Sequence, residues 1–277
     1  MREEWVDSET VQTIEPGDAR GSAAARLAIL GGRMALERFG QVDVSWKADG
    51  SMLTRADLDI QTVLERDIRA AFPNDCVLGE EGMLSGPRDA LYRWVLDPID
   101  GTNNFGRGLP GFSVSVGVLR DRSPVAGAVY DPVSDWLFSA AAGQGATLNG
   151  RRLQLAPSAL SSRSLFAIRT PYQDGLPAPV ARWLERYRLR RFGSTALHLC
   201  YAALGALAFV HDHDAAIWDI AGAAAVLLEA GGVITDPDGR PLFPLAAAQG
   251  AGAPFTFVAG NPTAHRQALE DLLAHNE

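Results

Sequence analysis

Apolar residues follow two different periods along this chain. Behind Pro16, Leu27, Leu30, Met34 and Phe39 recur at near-helical spacing, which predicts a helix over residues 16–39 ended by Gly40. Leu58, Val63, Leu64 and Ile68 predict a second helix over 56–72, stopped by Pro73 and Asn74. Between the two, residues 41–54 are polar around a KADGS loop. The period then shortens. Val77 and Leu78 form a short buried strand running into Gly79-Glu80-Glu81, and the Ser, Gly and Pro of residues 83–90 mark a loop. Strands follow over 94–96, 112–119, 125–130 and 136–141, separated by Gly, Asn and Asp turns, so this section reads as antiparallel. Beyond about Arg151 strands near 165–169, 190–192 and 208–209 alternate with helices near 179–187, 195–207 and 219–230, before Val233 and Ile234. That βαβ-like texture predicts a second lobe. Residues 247–254 read as a Gly/Ala-rich loop.

Composition changes the picture only by exclusion. The 277 residues are 47% hydrophobic and 21% charged, enough for one large domain or two lobes. Asp plus Glu number 33 against 25 Lys plus Arg, a net charge of −8. A global grip on nucleic acid is therefore excluded, while a local basic pocket for a small anion is not. Cys76 and Cys200 form no CxxC pair and read as buried thiols of a reducing compartment. No apolar signal core opens the chain and no run reaches about 18 apolar residues, so no membrane contact and a cytoplasmic location are expected.

The candidate chemistry lies where apolar elements end in acids. The stretch WVLDPIDGTNNF, residues 94–105, runs from three apolar residues into Asp97 and Asp100 around a proline. Glu80, with Glu81 beside it, follows the Val77-Leu78 strand, and Asp219 sits in IWDIAG. Each has a plain alternative: Asp219 as a helix N-cap, Asp100 as turn chemistry, Glu80 as a solvated loop charge. Taken together, oxygen ligands from separate segments without His or Cys suit Mg²⁺ or Mn²⁺. Pro98 stiffens the link, and the Ile99 carbonyl can join the site. Gly101 allows close backbone approach, and Thr102 opens a helix whose N–H groups can hold a phosphate. His198, His211 and His213 cluster in sequence but lack zinc-ligand spacing.

The segments GEE at 79–81, DPIDGTNNF at 97–105 and WDIAG at 218–222 resemble the signatures of the inositol monophosphatase family, the Mg²⁺-dependent, lithium-sensitive phosphatases. KADGSMLTRADLD at 47–59 resembles that family's lysine loop and Thr-x-x-Asp segment. The resemblance implies a mixed α+β and α/β chain in a two-lobed αβαβα sugar-phosphatase fold. It places an N-terminal lobe over 1–150 with most metal ligands and a C-terminal lobe over 151–277. Two to three Mg²⁺ ions are implied: Glu80, Asp97 and the Ile99 carbonyl for the first, Asp97, Asp100 and Asp219 for the second. Thr102, held by Asp57, would orient the attacking water together with Glu80, and Gly101 and Thr102 would bind phosphate. Gly193, Ser194 and Thr195 match a substrate-contacting segment, and Lys47 would close over the site, with Glu81 structural.

The family's inositol-contacting glutamate, seven residues before the WD aspartate, is Asp212 in this chain, shorter by a methylene, so the inositol assignment is open. The resemblance implies an enzyme, a phosphomonoesterase for a small polyol or sugar phosphate, and a homodimer. Alternatives are a 3′-phosphoadenosine 5′-phosphate nucleotidase, a fructose-1,6-bisphosphatase, or a catalytically silent metal- or phosphate-binding regulator. The YDxxA variant of the histidinol-phosphate branch is absent.

Overall fold

The computed structural model describes residues 19–41, 44–46, 52–82, 84–246 and 253–274. Lys47 with its KADGS loop, and most of residues 247–254, lie outside them. Helix α1 (Ala19–Leu36), the short hairpin β1 (Val44–Trp46) and β2 (Met52–Thr54), and helix α2 (Arg55–Ala71) come first. A seven-stranded sheet follows in chain order: β3 (Cys76–Gly79), β4 (Tyr92–Asp100), β5 (Ser113–Arg120), β6 (Ser123–Asp131), β7 (Trp136–Ala141), β8 (Gly145–Leu148) and β9 (Arg151–Leu153). The short α3 (Thr102–Gly106) interrupts it after β4. The rest of the chain gives β10 (Leu165–Ile168), α4 (Ala178–Arg186), β11 (Arg188–Leu189), α5 (Thr195–Ala203), β12 (Phe209–Ala215), α6 (Ile217–Glu229), β13 (Val233–Thr235), β14 (Phe255–Gly260) and α7 (Pro262–Leu273). Its five strands form a second sheet in the order β11-β10-β12-β14-β13.

The layering follows from which faces are apolar. On β5, Val114, Val116 and Val118 share a core with Leu27, Ile60, Leu64 and Ile68 of α1 and α2. The opposite face of β5 carries Ser113, Ser115 and Gly117, all small, and α6 lies against it. A Cβ on Gly117 would press on Ala221 and Gly222, and one on Gly127 would overlap the Gly222 carbonyl. Helix and sheet therefore approach backbone to backbone. Helices α5 and α6 form the middle layer, in one core with Val95, Val129 and Phe138 of the first sheet and Phe257 and Ala259 of the second. The outer face of the second sheet packs Phe166, Phe209 and Val258 against Val180, Trp183 and Ala268 of α4 and α7. The result is the expected αβαβα stack.

Several elements differ from the sequence expectation. Helix α1 ends at Leu36, ahead of Phe39, and α5 ends at Ala203 because Leu204 already caps it. Strands β4 to β7 are antiparallel as expected, and β3, for which no pairing was expected, joins their edge in parallel with β4. Strand β4 spans nine residues, where the apolar core of three alone was expected. The strand expected at 190–192 lies at Arg188–Leu189, and β12 runs seven residues through VHDHDA, whose polar side chains hid it. Strand β14 and helix α7 were not expected at all.

Candidate active site

Asp97 and Asp100 stand three residues apart, a spacing that in a regular strand points side chains to opposite faces. Here Asp97 pairs with Ser115 but Asp100 with Ser113, so β4 spends one residue more than its partner. That bulge, at Pro98-Ile99, turns both carboxylates to the same side. Pro98 suits the bulge because it has no ladder N–H to lose. The Ile99 N–H donates to Asp97 Oδ1 at 3.0 Å, and the Thr102 hydroxyl donates to the Ile99 carbonyl at 2.8 Å. Gly101 adopts φ 96°, and a Cβ there would press on the Gly111 carbonyl, so only glycine makes this turn without strain.

Asp219 arrives from α6, distant in sequence but packed against the same sheet. It is not the N-cap of α6; Ala216 holds that place, and Asp219 sits one turn inside, its Oδ2 accepting the Ala216 N–H at 2.9 Å. Carboxylate oxygens of Asp97, Asp100 and Asp219 lie within 4.8 Å of one another. Among the described residues this is the group of acids, histidines or thiols close enough to hold one ion. The triplet lines a cavity of about 310 Å³ together with Glu80, Ile99, Gly101, Thr102, Gly193 and Thr195. Glu80 sits just past β3, its N–H donating to the Leu96 carbonyl at 3.1 Å, outside the triplet but on the same wall.

The electrostatics of this arrangement are unfavourable without a cation. Burial raises the Asp97 carboxyl well above its ordinary value, and the charges of Glu80, Asp100 and Asp219 push the same way. Asp219 is raised likewise by burial and then by Asp100. Asp100 is lifted to about 6 by burial, opposed by a hydrogen bond from Ser194. Three desolvated carboxylates facing one another fit a divalent ion, which removes the repulsion that raises them.

Asp100 also fastens the start of α5. Ser194, buried as the N-cap of α5, donates its hydroxyl to Asp100 at 2.5 Å, and the Ala196 N–H donates to the same oxygen at 2.6 Å. Ser194 therefore acts through Asp100; Gly193 and Thr195 are the residues of GSTA on the cavity wall. Asp57 does not hold Thr102. It accepts the Thr54 hydroxyl at 2.6 Å and the Thr54 N–H at 2.8 Å, closing the first turn of α2, while its other oxygen is buried and unpartnered. Burial raises it to about 6. Asp212, expected at the substrate wall, is 1% exposed and lies beneath it. Its oxygens accept the Thr195 hydroxyl at 2.8 Å and the Asp214 N–H at 3.0 Å.

Some wall residues escaped the sequence reading. Arg169, just beyond β10, faces the triplet with Nη1 3.4 Å from Asp219, and Arg191 lines the same cavity. The apolar run LFAI ending in Arg169 carried the signal already used for the acids. Gln61, one turn after Asp57 on α2, accepts the Glu81 N–H at 2.8 Å and fills the space above Gly79, steadying the turn that carries Glu80. Asn104 donates to the Gly111 carbonyl at 2.8 Å and the Phe192 carbonyl at 2.6 Å, tying α3 to the approach of α5. His198 and His211 are structural: His198 accepts the Phe192 N–H at 2.9 Å, and His211 Nδ1 lies 2.9 Å from the Phe257 carbonyl.

A five-layered fold carrying this acidic cavity is that of a phosphoric monoester hydrolase. The model of the inositol monophosphatase family matches residues 19–276, and the chain belongs to that family. It is 33% identical over 224 residues to the inositol-1-monophosphatase of Rhizobium meliloti, covering 76% of this chain and 84% of the relative. It is 32% identical over 209 residues to the Nus factor SuhB of Vibrio cholerae, covering 73% and 78%. The fructose-1,6-bisphosphatase/inositol-1-monophosphatase of Aquifex aeolicus is 33% identical over 223 residues, covering 75% and 82%. Among solved structures, SuhB of Bartonella henselae superposes with a TM-score of 0.83 at 28% identity, covering 93% of this chain and all of that one. The Thermotoga maritima IMPase gives 0.81 at 28%, covering 91% and 96%.

Proposed function

We propose that the chain hydrolyses a phosphomonoester of a small polyol or sugar in a Mg²⁺-dependent reaction. The carrying observation is the triplet of buried Asp97 and Asp100 with half-buried Asp219, whose oxygens converge within 4.8 Å on a cavity large enough for such an ester. Two to three Mg²⁺ ions, with Mn²⁺ as a substitute, would be held by Glu80, Asp97, the Ile99 carbonyl, Asp100 and Asp219. When bound, such ions supply Lewis acidity toward the phosphate and a water of lowered pKa. The protein's part is positioning and charge, since phosphoryl transfer asks little covalent chemistry of it. Gly101 and Thr102 would receive the phosphate on backbone N–H groups. Thr102, with Glu80 as a further partner, would orient the attacking water from the cavity wall.

Phosphate release from inositol 1-phosphate and related esters is expected with millimolar Mg²⁺ and none after chelation. Asp100→Asn is expected to lose nearly all turnover. A catalytically silent regulator would release nothing from any ester and be indifferent to that substitution. Inhibition by lithium and assembly as a homodimer belong to the same reading; turnover unaffected by tens of millimolar Li⁺ would remove the first.

A further inference from the structure

We infer that Gln61 is a positioning residue for Glu80: its side-chain amide fixes the turn Gly79-Glu80-Glu81-Gly82 and through it the affinity of the site for its ions. This role rests on the metal-dependent reading above and deepens it. Of the four acids assigned to the ions, Glu80 alone stands outside the group whose oxygens converge within 4.8 Å, although it lines the same cavity. Its reach is therefore decided by the turn that carries it. Two hydrogen bonds bracket Glu80 along the backbone. On one side the Glu80 N–H donates to the Leu96 carbonyl at 3.1 Å, continuing the parallel pairing of β3 with β4. On the other the Glu81 N–H donates to Gln61 Oε1 at 2.8 Å. The first bond belongs to the sheet; the second comes from a single side chain of α2.

The glycines of the turn show how closely that side chain is seated. A Cβ on Gly79 would overlap the Gln61 carboxamide, and one on Gly82 would come within 2.7 Å of its Nε2. Neither glycine has a positive φ, so backbone conformation admits a side chain at both positions. The amide wedged between them is what excludes one. Gln61 is itself only 7% exposed, and Ile60, Leu64 and Ile68 anchor its helix in the first core. An acceptor held on a packed helix stands at a fixed point, which a solvent-facing glutamine does not offer. Asp57 lies one turn earlier on α2, and the charges of Glu80 and Glu81 act on it. Helix α2 thus turns the face carrying Asp57 and Gln61 toward this turn, and Gln61 makes the contact that holds its backbone.

The test measures ion binding with no substrate present. Mn²⁺ titrations followed by electron paramagnetic resonance give Kd for the wild type, Gln61→Met and Gln61→Glu, while melting in EDTA records folding. Methionine fills the space without a strong acceptor, and its Kd should rise at least about tenfold, as when a group orienting a metal ligand is removed. Gln61→Glu keeps an acceptor at the same reach and should return Kd to within about threefold of the wild type. Affinity is the readout because a loss of folded molecules lowers the number of sites and leaves their Kd unchanged. An unmoved Kd in Gln61→Met overturns the assignment, whatever the melting temperature does. Equally weak binding by Gln61→Glu and Gln61→Met overturns it as well. A wild type that binds no Mn²⁺ removes the metal-dependent reading, and the role of Gln61 with it.

Discussion

At Asp97 the requirements of folding and of chemistry oppose each other. Its carboxyl is buried among Glu80, Asp100 and Asp219, so the empty site resists its ionisation. Asp97→Asn keeps the shape and removes one of the mutually repelling groups. We expect turnover to fall at least about a hundredfold while the chelated protein melts higher than the wild type, as measured by calorimetry in EDTA. A lower melting temperature would show that Asp97 contributes to folding beyond its charge. His198 gives a pH dependence away from the triplet. Burial, and then Arg191, depress it from 6.5 to about 3, and it serves as acceptor for the Phe192 N–H. The unfolded chain thus takes up this proton first as pH falls. The stability it provides is complete above about pH 6.5 and declines toward pH 3, by at most about 1.4 kcal/mol per unit. Denaturant titrations at pH 7 and pH 5 should differ by about 2 kcal/mol more in the wild type than in His198→Gln.

Among elements, α6 governs the site through the way it lies on the first sheet. Gly222 rests on Ser115 and Val116, and Gly127 leaves room for the Gly222 carbonyl, so Asp219 reaches β4 only because these backbones nearly touch. Gly127→Ala should therefore cost at least about 1–3 kcal/mol by denaturant unfolding. It should also lower turnover per folded molecule, since lifting α6 moves Asp219 away from Asp97; full activity in a destabilised variant would refute that link. The helical periods of α1 and α2 and the alternation of β5 were legible because one face of each is continuously apolar. The ends of DPID and WDIAG were legible because acids there interrupt apolar runs. The bulge was not, since it depends on pairing with Ser113 and Ser115. Nor was the withdrawal of Asp212, which is decided by Thr195 from α5. Strand β12 was hidden for a related reason: its polar residues His211 and Asp212 are buried by neighbours distant in sequence.

For the whole molecule, the acids come from both sheets' territory, and so does their cost. Asp97 and Asp100 belong to β4, Asp219 to α6, and Asn104 and Asp100 fasten α3 to the start of α5. Unfolding separates all of them, so an ion that binds the assembled triplet has no comparable site in the unfolded chain. Binding must then raise stability by RT ln(1 + [L]/Kd), about 2.7 kcal/mol when the ion stands at a hundred times its Kd. For a chain of this size that corresponds to a rise in melting temperature on the order of 5–10 °C. Mg²⁺ should produce the rise, EDTA should reverse it, and Asp97→Asn should blunt it, because the amide supplies no charge to the ion. The measurement needs no substrate and no turnover, so it separates the ion site from the choice of ester. A melting temperature indifferent to millimolar Mg²⁺ and Mn²⁺ would mean that the triplet does not hold a divalent ion. Arg169, already within reach of Asp219, would then be the cation that balances it.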